Sequence, residues 1–160
     1  ETAFAMKNVP VFSGLKKREL REIENLVHHR EYTDGEVVFN HGDPGLGMYI
    51  IISGSVQIVN NQDPNHIIVY SDLDDGDFFG DMALVDESDR SATALSKGDT
   101  RLIAFFRPEL HDIMTRFPSL GTKLLMNLAG VIATRLRKTN ENLIGSQKEV
   151  RELQTKVGGV

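Results

Sequence analysis

Between Tyr32 and Phe106 the apolar residues come only in short runs, each closed by Gly, Asp, Asn or Pro, and this texture limits the fold more than any other feature. The runs are Glu36 to Phe39, Met48 to Ile52, Ser55 to Asn60, Ile67 to Asp72, Ser91 to Ser96 and Leu102 to Phe106. Turn residues separate them at Asp34-Gly35, His41-Gly42-Asp43-Pro44-Gly45, Ser53-Gly54, Asn60 to Asn65, Asp74-Asp75-Gly76 and Lys97-Gly98-Asp99. Runs this short and this rich in β-branched and aromatic residues predict strands, and their spacing argues for an antiparallel barrel or jelly roll. Gly35, Gly54 and Gly76 are expected at corners that need positive φ.

Helical patterns flank this region. From Leu15 to His29, Leu15, Leu20, Ile23, Leu26 and Val27 make one apolar stripe with charged residues opposite, which predicts a packing helix. Pro108 suits the first turn of a helix running to about Arg116. A longer helix is predicted from Pro118 or Ser119 to about Lys156. Its first half has a broad apolar face of Leu120, Leu124, Leu125, Leu128, Val131, Ile132 and Leu136. Beyond that the apolar residues thin to a seven-residue spacing, Leu136, Leu143, Val150 and Val157, with Ile132, Thr139, Ser146 and Leu153 between them. This is a coiled-coil register with two polar positions, which fits a two-stranded homodimer; a helix folded back on its own barrel, fraying near Gly145, is the alternative. The fold class is therefore α+β, mainly β: an antiparallel jelly-roll barrel with an N-terminal helix, a short central helix and two C-terminal helices.

Composition narrows the function. The 160 residues are 40% hydrophobic and 26% charged, as in ordinary globular domains. No run of eighteen apolar residues exists, so no membrane span is expected. With no cysteine, disulfides, thiol catalysis and Cys-based zinc sites are excluded, and a cytoplasmic setting is compatible. His28, His29, His41, His66 and His111 do not form the clustered pattern of a barrel metalloenzyme, and no Gly-x-Ser-x-Gly elbow occurs, so enzyme function is not expected. A net charge of −5 argues against non-specific nucleic-acid binding. The start, Glu1 to Met6, has neither an initiator Met nor a signal pattern, as a fragment of a longer chain would.

One stretch, Phe79 to Ala94, carries candidate chemistry. Gly80 lets a ligand approach the main chain, and the short turn it opens, Asp81 to Val85, leaves N–H groups unpaired. Arg90 offers a planar fork suited to phosphate and Ser91 a hydroxyl donor. Asp81 supplies an acceptor for a sugar hydroxyl. From Asp34 to Asp99 there are thirteen acidic residues and two basic ones, Arg90 and Lys97, a formal charge of −11. Spacing alone leaves two readings of Arg90 open: a phosphate ligand, or a surface ion pair to Asp86, Glu87 or Asp89 worth ~0 to 1 kcal/mol.

The run Phe79-Gly80-Asp81-Met82-Ala83-Leu84, followed by a spacer and Arg90-Ser91-Ala92-Thr93, resembles the phosphate-binding cassette of cyclic nucleotide-binding domains, with Asp81 where that family has Glu. The resemblance extends from about Val9 to Leu143. It includes Val9 to Leu15, Asp34 to Phe39, Gly42-Asp43, Met48 to Val56, Asp75 to Gly80 and Arg135 to Leu143. It implies a nucleotide-binding domain over 1–143, with 144–160 a helix extension or the start of a linker.

The resemblance also implies roles. Arg90 would bind the cyclic phosphate, with Gly80, Ala83, Leu84, Ser91 and Ala92 supplying main-chain or hydroxyl contacts. Asp81 would take the ribose 2′-hydroxyl. Arg135, Leu136, Thr139 and Asn140 share one helix face and would cap the base, Asn140 suiting adenine, although Thr139 and Asn140 read equally well as exposed helix residues. The implied ligand is cAMP, or cGMP, with no other cofactor; capture would move the long helix and signal to a dimer partner or an attached effector. The seventeen residues after Leu143 are too few for the helix-turn-helix of the catabolite-activator branch, so no direct nucleic-acid contact is expected from this segment. The reading from another class is a degenerate domain that keeps the fold as a protein-interaction scaffold, which the short carboxylate of Asp81 favours.

Overall fold

The computed structural model describes residues 1–159. Two short helices open the chain, α1 (Thr2–Lys7) and α2 (Lys17–Glu24), with a 3-10 turn at Pro10–Phe12 between them. Six strands follow: β1 (His28–Tyr32), β2 (Val37–Phe39), β3 (Gly47–Asn60), β4 (Ile68–Leu73), β5 (Phe78–Phe79) and β6 (Thr93–Phe106). A 3-10 turn at Asp81–Leu84 separates β5 from β6, and α3 (Arg107–Arg116) and α4 (Pro118–Gly158) close the chain. The strands pair antiparallel in the order β1-β6-β3-β4, with β2 on β6 and β5 on β3. This is the expected jelly-roll arrangement of a β barrel with flanking helices.

The period-2 pattern of β3 and β6 divides the apolar residues between two cores. Met48, Ile50, Ile103 and Phe105 face the helices and pack with Met6, Phe12, Ile23, Leu110, Ile113 and Leu124. Ile51, Leu102, Val56 and Ala94 face the barrel interior with Phe79, Phe39 and Tyr49. The helices thus cover one side of the sheet, and the other side closes on itself.

Several boundaries differ from the sequence reading. The helix expected over Leu15 to His29 spans only Lys17–Glu24, because His28 begins β1, which pairs with β6 from His28↔Ala104 to Tyr32↔Thr100. The apolar Val27 and Leu26 that extended the helical stripe instead pack, partly buried, against the helix-side core from the link between α2 and β1. Met48 to Ile52 and Ser55 to Asn60 are one continuous strand, β3, and the two runs around Gly98 are likewise one strand, β6. Gly54 is a bend inside β3, with φ 106°, and not a loop between strands. A Cβ there would lie 2.6 Å from the Asp99 carbonyl oxygen and 2.6 Å from Thr100 Oγ1, so the two long strands bend together only because position 54 is bare.

Helix α4 runs unbroken through Gly145. Leu120, Leu124 and Leu128 are buried against the barrel side, and from Thr134 onward every described residue is exposed. At 1.5 Å per residue that exposed part projects about 37 Å. It does not fold back, and Leu136, Leu143, Val150, Leu153 and Val157 stand in solvent in this single chain.

Candidate functional site

Arg90 is built into the fold from both its main chain and its side chain. Its N–H donates to the Asp43 carbonyl at 2.7 Å, and its carbonyl accepts from the Gly42 N–H at 2.8 Å. The guanidinium turns inward, where Nη2 donates to the Gly47 carbonyl at 2.6 Å and Nη1 to the Gly80 carbonyl at 3.2 Å. Cζ lies 4.2 Å from the centre of the Phe39 ring, which Phe79 and Tyr49 back in turn. Only 9% of Arg90 is exposed.

No carboxylate pairs with this cation among the described residues. The surface ion pair to Asp86, Glu87 or Asp89 is therefore not what the chain forms. Those three side chains are exposed, and Asp86 instead accepts from the hydroxyl and N–H of Ser88. These bonds hold the Asp86 carboxyl below its ordinary value. Burial pushes the Arg90 guanidinium down from its ordinary value, as expected of a cation taken out of water without a full counter-charge. Arg90 Nε is buried and has no hydrogen-bond partner. An unpaired donor on a buried cation is costly, so the guanidinium keeps an unused capacity for an acceptor.

A cavity of about 440 Å³ opens at this point, lined by Gly80, Asp81, Ala83, Arg90, Ser91 and Ala92 among others. Phe39, Ile58 and Met82 make its apolar walls, and Arg135 reaches it from α4. Gly80 adopts φ 73°, and a Cβ there would lie 2.6 Å from Arg90 Nη1. A side chain at position 80 would thus strain the turn and displace the guanidinium together. The short turn expected after Gly80 is a single 3-10 turn, Asp81–Leu84. Within it the Ala83 N–H bonds the Gly80 carbonyl at 3.2 Å.

Asp81 is 1% exposed and bonds Arg135, whose Nη1 donates to Oδ1 at 2.6 Å. Its second oxygen, Oδ2, is buried without a partner. The Arg135 guanidinium also lies 5.5 Å from the centre of the Phe78 ring. Cavity and long helix are therefore already joined, by the carboxylate at the position that the sequence singles out.

The structure gathers Gly80, Asp81, Ala83, Arg90, Ser91, Ala92 and Arg135 around one cavity. Leu84 is buried in the core behind the turn. Leu136, Thr139 and Asn140 are exposed on α4 and lie outside the cavity lining. Phe39, which stacks on the Arg90 guanidinium, was legible in the sequence only as a strand residue. No group of three metal-ligating side chains occurs among the described residues, and none of their helices is long and apolar enough to cross a membrane.

The sequence pattern of the cyclic nucleotide-binding domain matches residues 29–117, more than half of the chain. The chain belongs to the cyclic nucleotide-binding domain family. It is 33% identical over 138 residues to the cyclic AMP receptor protein of Thermus thermophilus, covering 86% of this chain and 62% of that protein. A cAMP-dependent protein kinase regulatory subunit from Mycosarcoma maydis is 29% identical over 137 residues, 84% of this chain and 24% of that protein. The solved catabolite activator protein of Thermus thermophilus superposes with a TM-score of 0.74 at 32% identity, covering 84% of this chain and 62% of that one. The chain thus spans less than two thirds of each of these relatives. The first is a cyclic AMP receptor by name and the second a kinase regulatory subunit, and the solved catabolite activator protein shares the fold of this chain.

Proposed function

We propose that this domain is a cyclic nucleotide sensor whose anchor is Arg90. The observation that carries the reading is a buried guanidinium with an unpaired nitrogen and no carboxylate partner, on a residue that lines a 440 Å³ cavity. A cyclic phosphate supplies the missing charge and acceptors, and Ser91 and Ala92 stand at the rim to add donors. The ribose 2′-hydroxyl donates to Asp81 Oδ2, the free acceptor next to it. Ligand cAMP is favoured over cGMP on the strength of the relatives' names. Its action is regulatory, not catalytic.

The signal element is α4. Asp81 holds Arg135 at 2.6 Å, so a ligand that engages the carboxylate changes the bond that ties the cavity to the helix. A ligand shifts such an equilibrium only by its difference in affinity for the two arrangements, and this bond differs between them. The exposed heptad face beyond Thr134 pairs with the same face of a second copy, which makes the helix a route from site to partner.

One observation favours a second reading. The shorter carboxylate is already satisfied on one side by Arg135, as in a domain that has given up its ligand and retains the fold as a scaffold. Calorimetric titration of nucleotide-free protein with cAMP and with cGMP at one fixed salt separates the two. The sensor reading predicts one site per chain at micromolar or tighter affinity for at least one nucleotide, stronger for cAMP. No heat with either supports the scaffold.

A further inference from the structure

Arg107 touches two separate segments of the site's frame, the loop before β3 and the stretch from the 3-10 turn to Asp86. Its Nε donates to the Ala83 carbonyl at 3.0 Å, and its Nη2 donates to the Gly45 carbonyl at 2.6 Å and to the Asp86 carbonyl at 3.1 Å. Nη1 lies 3.9 Å from Glu87 Oε1. Its main-chain N–H donates to the Leu46 carbonyl at 2.7 Å, and it is the first residue of α3. Its side chain is 14% exposed. It is not among the residues that line the cavity.

We infer that Arg107 is a positioning residue of the anion site, fixing the 3-10 turn and the loop before β3 in the arrangement that Arg90 needs. The inference rests on the sensor reading above. Arg90 has no carboxylate to hold it, and its side-chain acceptors are the carbonyls of Gly47 and Gly80. Gly47 follows the Gly45-Leu46 segment that Arg107 grips, and Gly80 immediately precedes the turn whose Ala83 carbonyl it grips. The two segments that aim Arg90 are therefore clamped together by one guanidinium. Only a planar fork with several donors can serve three carbonyls at once; an ammonium at this position carries the charge but not the directions. Peptide planarity extends the effect along the turn. A carbonyl turned toward Arg107 sets the direction of the N–H in the same peptide unit, so fixing the Ala83 and Asp86 carbonyls also fixes the Leu84 and Glu87 amides.

The test is cAMP binding by calorimetry to the unsubstituted protein, Arg107→Met and Arg107→Lys, with the amide chemical shifts of residues 80–92 recorded for each free protein. The expected result is a loss of affinity of about tenfold or more in Arg107→Met, incomplete rescue by Arg107→Lys, and shifted amides at Ala83, Leu84 and Gly80 in both before any ligand is added. Should Arg107→Met fail to fold, Arg107→Lys alone carries the test, with a loss of about threefold or more. Binding by the unsubstituted protein together with equal binding by the variant overturns this inference and leaves the sensor reading intact. Full rescue by Arg107→Lys also overturns it, since charge alone would then suffice. Absence of binding by the unsubstituted protein overturns the sensor reading, and this inference falls with it.

Discussion

At the scale of single residues, the site is defined by what is left unpaired. Arg90 Nε and Asp81 Oδ2 are two of the three buried side-chain atoms without a partner among the described residues, and both belong to residues that line one cavity. Folding leaves such atoms unsatisfied at a cost of roughly 1 to 3 kcal/mol each. The sensor reading assigns Oδ2 to a ribose 2′-hydroxyl. The unsubstituted protein should therefore bind cAMP about ten- to a hundredfold more tightly than 2′-deoxy-cAMP, the value of a hydrogen bond to a charged acceptor. In Asp81→Ala that preference should collapse, as competition between the two nucleotides would show. Equal affinities in the unsubstituted protein would remove Asp81 from the ribose contact.

Much of this was legible in the sequence, for a physical reason. Gly80 and Arg90 sit ten residues apart in one stretch, and each is conspicuous locally, Gly80 by its place before a turn and Arg90 by its isolation among acidic residues. Phe39 and Arg107 are ordinary in their local surroundings. Their places exist only once β2 and β3 both pair with β6 and the loops at residues 45, 83 and 90 meet, which no local pattern records. The surface ion pair was an open reading of Arg90 because spacing cannot tell whether a side chain turns outward or inward. The Gly47 and Gly80 carbonyls turn it inward.

At the scale of elements, the same difference between local and long-range information explains which boundaries moved. Helical periodicity from Leu15 to His29 was real as far as Glu24, but pairing with β6 claims His28 onward for a strand, and tertiary hydrogen bonds outweigh a weak helical preference. Gly54 reads as a turn between strands from sequence, since a bend within one strand has the same residues. The helices are tied to each other by Glu19 on α2, which accepts from Lys123 Nζ on α4 at 2.7 Å and from the Lys16 N–H at 3.0 Å. The bond to Lys123 is the larger cause that holds the Glu19 carboxyl below its ordinary value. A depressed carboxylate contributes stability above its unfolded pKa of about 4.3 and loses it as the pH falls through the folded value. The unfolding temperature should thus be insensitive to this group between pH 6 and 8 and decline below about pH 4.3. In Glu19→Gln, thermal melts across pH 3 to 7 should show a shallower acid limb. An unchanged acid limb would mean that the pair contributes nothing to the docking of α4.

At the scale of the whole molecule, an acidic barrel and a basic helix make one chain with charge divided between its parts. Residues 34 to 99 carry −11, whereas 123 to 156 have seven basic side chains against three acidic ones. The first half of α4 buries its apolar face on the barrel side, and the second half, from Thr134, has no such cover in the single chain. Most helical stability in proteins comes from packing of an apolar face, and the dimer reading supplies that packing through a second helix. Sedimentation equilibrium should find a dimer at tens of micromolar protein, and Leu143→Glu should shift it toward monomer while the barrel keeps its circular-dichroism spectrum. A monomer in the unsubstituted protein would show that the exposed face serves some other contact.

These scales meet at Arg90, and the most direct test of the account is the cAMP dissociation constant of Arg90→Ala beside that of the unsubstituted protein, at one salt and temperature. The account predicts a loss of about 2 kcal/mol or more, roughly thirtyfold, because the phosphate would then lie in a site without its cation. A measurable dissociation constant left unchanged by the substitution would contradict it, since the buried guanidinium would then have no part in holding the ligand.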